Sequence, residues 1–175
     1  MGYTHYWDRL ESFTEKEWLY VGIFFRTMQS LMELEPSRYR TTAWECVDDA
    51  VLIGYDEDTG WEGMKKPEIT DRFLAFNGDG ENGGESFVIK RFCEPDGLDF
   101  CKTNRQPYDV AVTAVLIMLS VLNPRKFIPI SDATGGIHGR SWDGGRELYC
   151  DVMDILNEEG KYMWKFREEE SDGGK

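Results

Sequence analysis

Hydrophobic and polar positions alternate along the first residues of the chain with the period of a strand. Alternation places Tyr3, His5 and Trp7 on one face and Thr4 and Tyr6 on the other. Large rings on both faces predict a central strand rather than an exposed edge.

The next segment has the three-and-four spacing of an amphipathic helix. Thr14 and Glu17 form a capping-box pair, in which each side chain satisfies a backbone amide of the first turn. One apolar stripe follows, made of Trp18, Val21, Phe25, Met28 and Met32. Pro36 ends the predicted helix, because the residue before a proline is disfavoured in helical geometry.

The middle of the chain predicts short strands, two of them joined in a hairpin. The hairpin turn is the glycine-rich segment 78–84, whose composition is typical of tight turns. Residues 56–67 read as a loop. Strands are expected over 51–55, 71–77, 86–92 and 98–101.

The longest apolar run, residues 110–122, predicts a helix that starts near Tyr108 and ends at Pro124. Its apolar residues occupy every face, which predicts full burial, and it is too short to span a bilayer. A last strand over 127–130, a glycine-rich loop over 134–145 and an amphipathic helix over 146–159 complete the prediction.

The predicted order is β-α-β-β-β-β-α-β-α, with hairpin-linked strands in the middle. This order favours an α+β fold, an antiparallel or mixed sheet packed with about three helices, over a doubly wound parallel sheet. A length of 175 residues fits one domain. We expect that domain to cover residues 1–166, and a disordered acidic tail to cover 167–175.

Charge narrows the classes of partner. A net charge of −13 argues against nonspecific binding to nucleic acid or to an anionic membrane, since phosphate repels such a surface. Four scattered cysteines without a CxxC pair, and only two histidines, predict no zinc site. We expect no cofactor, and a homo-oligomer is compatible with the sequence. The first residues lack a signal-peptide pattern, so we expect a cytoplasmic protein.

One junction in the sequence indicates an anion site. Lys102, Thr103 and Arg105 follow a predicted strand, and the helix beginning at Tyr108 presents its positive end nearby. Lysine supplies a point charge, and arginine supplies a fork suited to phosphate or carboxylate. The alternative is that each cation pairs with an acid such as Asp99 or Asp109.

His5 and the rings around it have two interpretations. His5 is a hydrogen-bond donor to phosphate or a general acid/base, or else a core histidine with satisfied bonds. Four rings are candidates for stacking on a purine or for presenting a hydroxyl, although core packing is their more ordinary role: Tyr3, Tyr6, Trp7 and Tyr108. Asn77 has an amide suited to a base or ribose edge, but Asn before Gly favours a turn.

Three segments together resemble an uncharacterised family found in phages and bacteria. They are Gly-Tyr-Thr-His-Tyr-Trp at 2–7, Phe-Asn-Gly at 76–78 with Glu-Ser-Phe at 85–87, and Asp-Phe-Cys-Lys-Thr-Asn-Arg-Gln-Pro-Tyr-Asp at 99–109. The resemblance extends from residue 2 to about residue 151. It implies no particular chemistry, although a phage setting suggests counter-defence, including proteins that sequester nucleotide immune signals.

These features favour a non-catalytic binder of a small anionic, nucleotide-like ligand, acting as a sponge. The binding residues would be Tyr3, His5, Trp7, Asn77, Lys102, Thr103, Arg105 and Tyr108. In particular, His5, Lys102 and Arg105 are expected to meet at one cavity.

Two alternatives stay open. One is an enzyme that uses His5 as acid or base, although no Ser-His-Asp, HExxH or paired-carboxylate pattern is visible. The other is an acidic protein that inhibits a basic host protein.

Overall fold

The strands and helices follow one another in the predicted order. A computed structural model describes residues 3–39, 49–54, 65–93, 98–133 and 135–160. Its elements are β1 (Thr4–Arg9), α1 (Glu15–Leu34), β2 (Leu52–Gly54), β3 (Phe73–Gly78), β4 (Phe87–Lys90), β5 (Asp99–Lys102), α2 (Asp109–Leu122), β6 (Phe127–Ser131) and α3 (Asp143–Glu158). Three helices with antiparallel strands confirm the α+β class.

The strands form two sheets. One sheet has the order β5-β1-β6 and the other β2-β3-β4, and both are antiparallel. The two sheets approach each other just before β4, where the Glu85 amide donates to the Lys102 carbonyl at 3.1 Å without a ladder between β4 and β5. β1 is the central strand of its sheet, as the rings on both of its faces predicted.

Helix α1 begins and ends where its sequence signals predict. The Thr14 hydroxyl accepts from the Glu17 amide at 3.2 Å, and the Glu17 carboxylate accepts from the Thr14 amide at 2.7 Å. This reciprocal capping box satisfies two amides that the helix itself cannot pair. The helix ends at Leu34, two residues before Pro36.

Helix α2 forms the centre of the core, which confirms the expectation from its all-round apolar surface. Its residues from Asp109 to Leu116 are all buried. Helix α3 packs against it at Gly145, where a Cβ atom would collide with the Thr113 side chain. The same core includes rings from both sheets, among them Trp7, Phe76 and Phe87.

The C-terminal part departs from the prediction in detail. Helix α3 starts at Asp143, three residues before the predicted start, and the predicted glycine-rich loop contains short 3-10 turns at Gly136–His138 and Arg140–Trp142. The tail expected over 167–175, and most of the loop expected over 56–67, lie outside the described residues. Within the described ranges, every helix is too short or too polar to cross a membrane.

Candidate functional site

The candidate site is a buried polar cluster where β1 meets the start of α2. The Nε2 atom of His5 lies 2.7 Å from Oδ1 of Asp109, and the hydroxyl of Thr103 donates to the same oxygen at 2.5 Å. His5 and Thr103 expose none of their surface, and Asp109 exposes 2%. Because a carboxylate only accepts hydrogen bonds, we infer that Nε2 of His5 carries a proton.

Two rings hold the His5 imidazole edge to face. The ring centroid of Tyr3 lies 4.8 Å from that of His5 at an interplanar angle of 86°, and the centroid of Trp142 lies 5.1 Å away at 85°. Aromatic pairs favour this T-shaped geometry, because a positive ring edge meets a negative ring face. The imidazole is therefore fixed by Asp109 at one nitrogen and by packing on its sides.

Several polar atoms in the cluster are buried without a hydrogen-bond partner among the described residues. They are Nδ1 of His5, Nε1 of Trp142 and Nε of Arg105. Unpaired buried polar atoms cost free energy and are uncommon in folded proteins, so a group of them in one place indicates a site that receives a polar ligand.

The phenol of Tyr3 is kept neutral by its surroundings. Burial raises its pKa, and the negative charge of Asp109 raises it further. The nearby hydroxyls of Ser141 and Ser131 and the positive charge of Arg105 act in the opposite direction but do not outweigh burial. At neutral pH Tyr3 therefore presents a hydroxyl that can donate a hydrogen bond.

Arg105 is the cation of the cluster. Its guanidinium carbon lies 4.8 Å from the ring centroid of Tyr3, within cation–π distance, and its side chain is half-buried. No carboxylate of the described residues forms an ion pair with it. Asn104 and Arg105 adopt left-handed backbone angles, with φ of 52° and 61°, which is uncommon for residues other than glycine.

The start of α2 does not provide the free amides that the sequence suggested. The amides of Gln106, Asp109 and Ala111 donate to backbone carbonyls of the same turn, at distances between 2.9 and 3.0 Å. The Asp109 carboxylate bonds to His5 and Thr103. An anion at this junction would therefore bind to side chains rather than to the helix terminus.

The structure brings Tyr3, His5, Thr103 and Arg105 together but leaves Lys102 apart. His5 is paired with Cys101 across β1 and β5, so the next residue along β5, Lys102, lies on the opposite face of the sheet. Lys102 is exposed there. The expectation that His5, Lys102 and Arg105 meet at one cavity is therefore wrong, because one residue step along a strand reverses the face.

The other candidate residues serve the fold. Trp7 is buried against Phe87, with ring centroids 5.3 Å apart. The Tyr108 hydroxyl donates to the Glu85 carbonyl at 2.7 Å. The side-chain amide of Asn77 spans the hairpin turn: its nitrogen donates to the Gly84 carbonyl at 3.0 Å, and its oxygen accepts from the Gly84 backbone amide at 3.1 Å. This is the turn role that Asn before Gly favours.

Sequence reasoning missed three members of the cluster. The sequence suggests Asp109 as a partner for Arg105 rather than for His5, and it assigns no role to Ser141 or Trp142. Segment 134–145 reads as a loop, so no local signal places Ser141 and Trp142 beside His5.

Cys101 offers no nucleophile to this site. Burial is the main cause that raises the pKa of its thiol to about 12, so the thiol stays protonated at neutral pH. Its sulfur lies 3.2 Å from the Glu85 carbonyl oxygen.

Within the described ranges, no three His, Cys, Asp or Glu residues are grouped so that they could hold a metal ion.

A separate cavity of about 380 Å³ lies between the end of α1 and β2. Lys65 and Lys66 line it, but so do Glu33 and Asp79, and Lys66 pairs with Glu33 at 2.9 Å. Its charges are therefore balanced, and none of the predicted site residues lines it.

Comparison of the chain with protein-family models, with curated proteins and with solved structures finds no match in any of the three. The resemblance to a phage and bacterial family stays a prediction.

Proposed function

We propose that this protein binds a small anionic ligand of nucleotide type at Arg105 and releases it unchanged. The observation that carries the proposal is the Arg105 side chain. It has a buried Nε without an acceptor, and no described carboxylate pairs with it, in a chain of net charge −13. A guanidinium presents a planar fork that matches phosphate or carboxylate oxygens.

Neighbouring hydroxyls give further support. The hydroxyls of Tyr3 and Ser141 are buried close to each other, and both can donate to an anionic oxygen. Charge-assisted hydrogen bonds of this kind are roughly twice as strong as neutral ones. Arg105 would bind the charge, and the hydroxyls would orient the ligand.

The phosphate is the part of a nucleotide to which these groups are suited. Tyr3, Trp7 and Tyr108 expose 3%, 1% and 0% of their surfaces, so none presents an open face on which a base could stack. We therefore expect affinity to follow the phosphate and to depend weakly on the base. In a phage setting, such binding would serve to sequester a nucleotide signal.

The second candidate is an enzyme that uses His5 as acid or base. The observation that favours it is the 2.7 Å contact between His5 and Asp109, which resembles the pairing that orients a catalytic imidazole. Against it, His5 exposes none of its surface. A substrate could reach the imidazole only if the packing around His5 opened.

One experiment separates these candidates. The protein is titrated calorimetrically with orthophosphate, mononucleotides, cyclic nucleotides and the matching nucleosides, then denatured by heat, and the released ligand is analysed. The proposal predicts binding of phosphate-bearing compounds but not of nucleosides, with intact ligand recovered in stoichiometric amount. Conversion of many equivalents would instead show an enzyme. Absence of binding, together with capture of a basic host protein, would favour the inhibitor.

A further inference from the structure

One face of the β5-β1-β6 sheet carries mostly exposed side chains among the described residues. Alternate residues of β1, such as His5 and Trp7, are buried against the core, whereas Tyr6 is half-buried and Asp8 is exposed. The same alternation holds in β6, where Phe127 is buried. We call the other side of this sheet the outer face.

The outer face is unusually apolar for a surface in contact with water. Five large apolar side chains lie on it or at its ends: Leu10, Leu98, Phe100, Ile128 and Ile130, exposed by 62%, 60%, 55%, 47% and 51%. They are half of the ten exposed large apolar side chains in the described part of the chain. Single exposed apolar residues are ordinary, but a contiguous group marks an interaction surface.

The strand register makes this group continuous. Phe100, Tyr6 and Ile130 are direct partners across the three strands and form one row. The rings of Tyr6 and Phe100 lie 6.3 Å apart between centroids. Side chains so aligned present a flat apolar strip perpendicular to the strands.

Both edges of the sheet are unsuited to adding a further strand. Pro129 in β6 has no N–H to donate to a neighbouring strand. On the other side, the amide of Lys102 donates to the Glu85 carboxylate at 3.0 Å, and its carbonyl accepts from the Glu85 amide. A partner would therefore cover the face rather than extend the sheet.

We propose that the partner is a second copy of this chain, packed face to face. Lys102 and Asp132 flank Thr4 at the same level on the two outer strands, since Lys102 is the partner of Thr4 and the Asp132 amide donates to the Thr4 carbonyl. A two-fold axis parallel to β1 places Lys102 of each copy over Asp132 of the other. It also places Phe100 over Ile130, and Tyr6 over its own counterpart.

The alternative axis gives a different pairing of charges. A two-fold axis perpendicular to the strands would place Lys102 over Leu98, beside Asp8 on the neighbouring strand. The parallel axis has one unfavourable consequence, because Asp8 lies on the central strand and faces its own counterpart. A face that carries both signs in matching positions is complementary to itself, whereas a basic protein would require a purely acidic face.

The dimer is expected to be weak. Three strands about 4.8 Å apart, with a rise of about 3.4 Å per residue, make a face of a few hundred Å². Standard interfaces bury about 800 Å² on each partner, so this one belongs with transient associations. The dimer does not involve Arg105 and is independent of the proposed ligand site.

The test is sedimentation velocity over a wide range of protein concentrations, with thermal unfolding of each variant as a check on folding. The wild type should change from monomer to dimer as concentration rises, and Phe100→Lys or Ile130→Lys should abolish the dimer. The control is Leu34→Lys, which changes an apolar residue that is 80% exposed at the end of α1 and away from the outer face. It should dimerise like the wild type. A wild type that stays monomeric throughout, or a Phe100→Lys variant that dimerises normally, overturns the proposal.

Two charge variants test the arrangement itself. Asp8→Asn removes the repulsion on the axis and should tighten the dimer several-fold, a gain that misfolding cannot mimic. Lys102→Glu places a glutamate opposite Asp132 and should weaken dimerisation by about tenfold. This is the effect expected when an ion pair is lost and a repulsion takes its place. Weaker association with Asp8→Asn, or unchanged association with Lys102→Glu, contradicts the two-fold axis.

Discussion

His5 on β1 and Asp109 at the start of α2 are joined by a hydrogen bond of 2.7 Å, and both side chains are buried. The two residues are 104 positions apart in the sequence. Their contact ties the first strand to the central helix, so the candidate site is built on rigid elements. The position of the His5 imidazole therefore depends on the packing of the whole core.

The first prediction concerns the coupling between these two residues. Asp109→Ala or His5→Ala should each lower the free energy of unfolding by about 3–5 kcal/mol, because each takes a hydrogen-bond partner away from a buried side chain. The double variant should lose clearly less than the sum, with a coupling of at least about 1 kcal/mol. Urea unfolding of the four proteins measures this cycle.

The matched control for that cycle is an exposed pair. Lys126 and Glu11 also approach to 2.8 Å, but their side chains are 36% and 60% exposed. Glu11→Ala should cost about 1 kcal/mol or less, because solvent screens the charges. Strictly additive losses at His5 and Asp109 would contradict the buried coupling.

The second prediction concerns the core helix. Leu116 exposes none of its surface, so Leu116→Ala should cost about 2–5 kcal/mol through lost burial and a residual cavity. Ile117 is half-buried, so Ile117→Ala should lower the free energy of unfolding by less than Leu116→Ala does. Val121→Ala, at a site that is 38% exposed, should cost under about 1 kcal/mol. Equal losses at Leu116 and Val121 would show that α2 is peripheral.

The third prediction concerns alkaline pH. In the unfolded chain the Cys101 thiol ionises near its ordinary pKa of 9, whereas burial in the folded protein raises its pKa to about 12. Above pH 9 the unfolded state therefore releases a proton that the folded state keeps. The free energy of unfolding should be fully retained below pH 9 and fall as pH rises toward 12.

Tyr20 adds to this effect at higher pH, because burial raises its pKa from 10 to about 12. Urea unfolding at a series of pH values from neutral upward measures the slope, and Cys101→Ala should make it shallower in the lower part of the window. A free energy of unfolding that is independent of pH across this range would show that neither group is buried in its neutral form.

Local sequence signals predicted the elements well. The Thr14–Glu17 capping box predicted the start of α1, and the apolar residues on every side of α2 predicted its burial. Both signals depend only on residues close together in the sequence. The division into two sheets depends on which strands pair at a distance, and period-two alternation carries no information about that. The sequence therefore predicted the α+β class but not the number of sheets.

The candidate site was predicted only in part, because its geometry arises from tertiary contacts. The strand-to-helix junction indicated Thr103 and Arg105, and the N-terminal signature indicated Tyr3 and His5. Lys102 was grouped with them because it is close in sequence, although strand alternation places it on the other face. Asp109, Ser141 and Trp142 join the cluster through packing of α2 and of the segment before α3, which no local pattern encodes.

The most direct test of anion binding at Arg105 is calorimetric titration of wild type, Arg105→Ala and Arg125→Ala with one phosphate-bearing nucleotide. Arg125 is an exposed arginine in the turn after α2 and serves as the control for loss of one positive charge. Loss of the Arg105 contact should weaken binding by about 2–5 kcal/mol, while Arg125→Ala should bind like the wild type. Equal affinity of Arg105→Ala and wild type, with both variants folded, would contradict the proposed site.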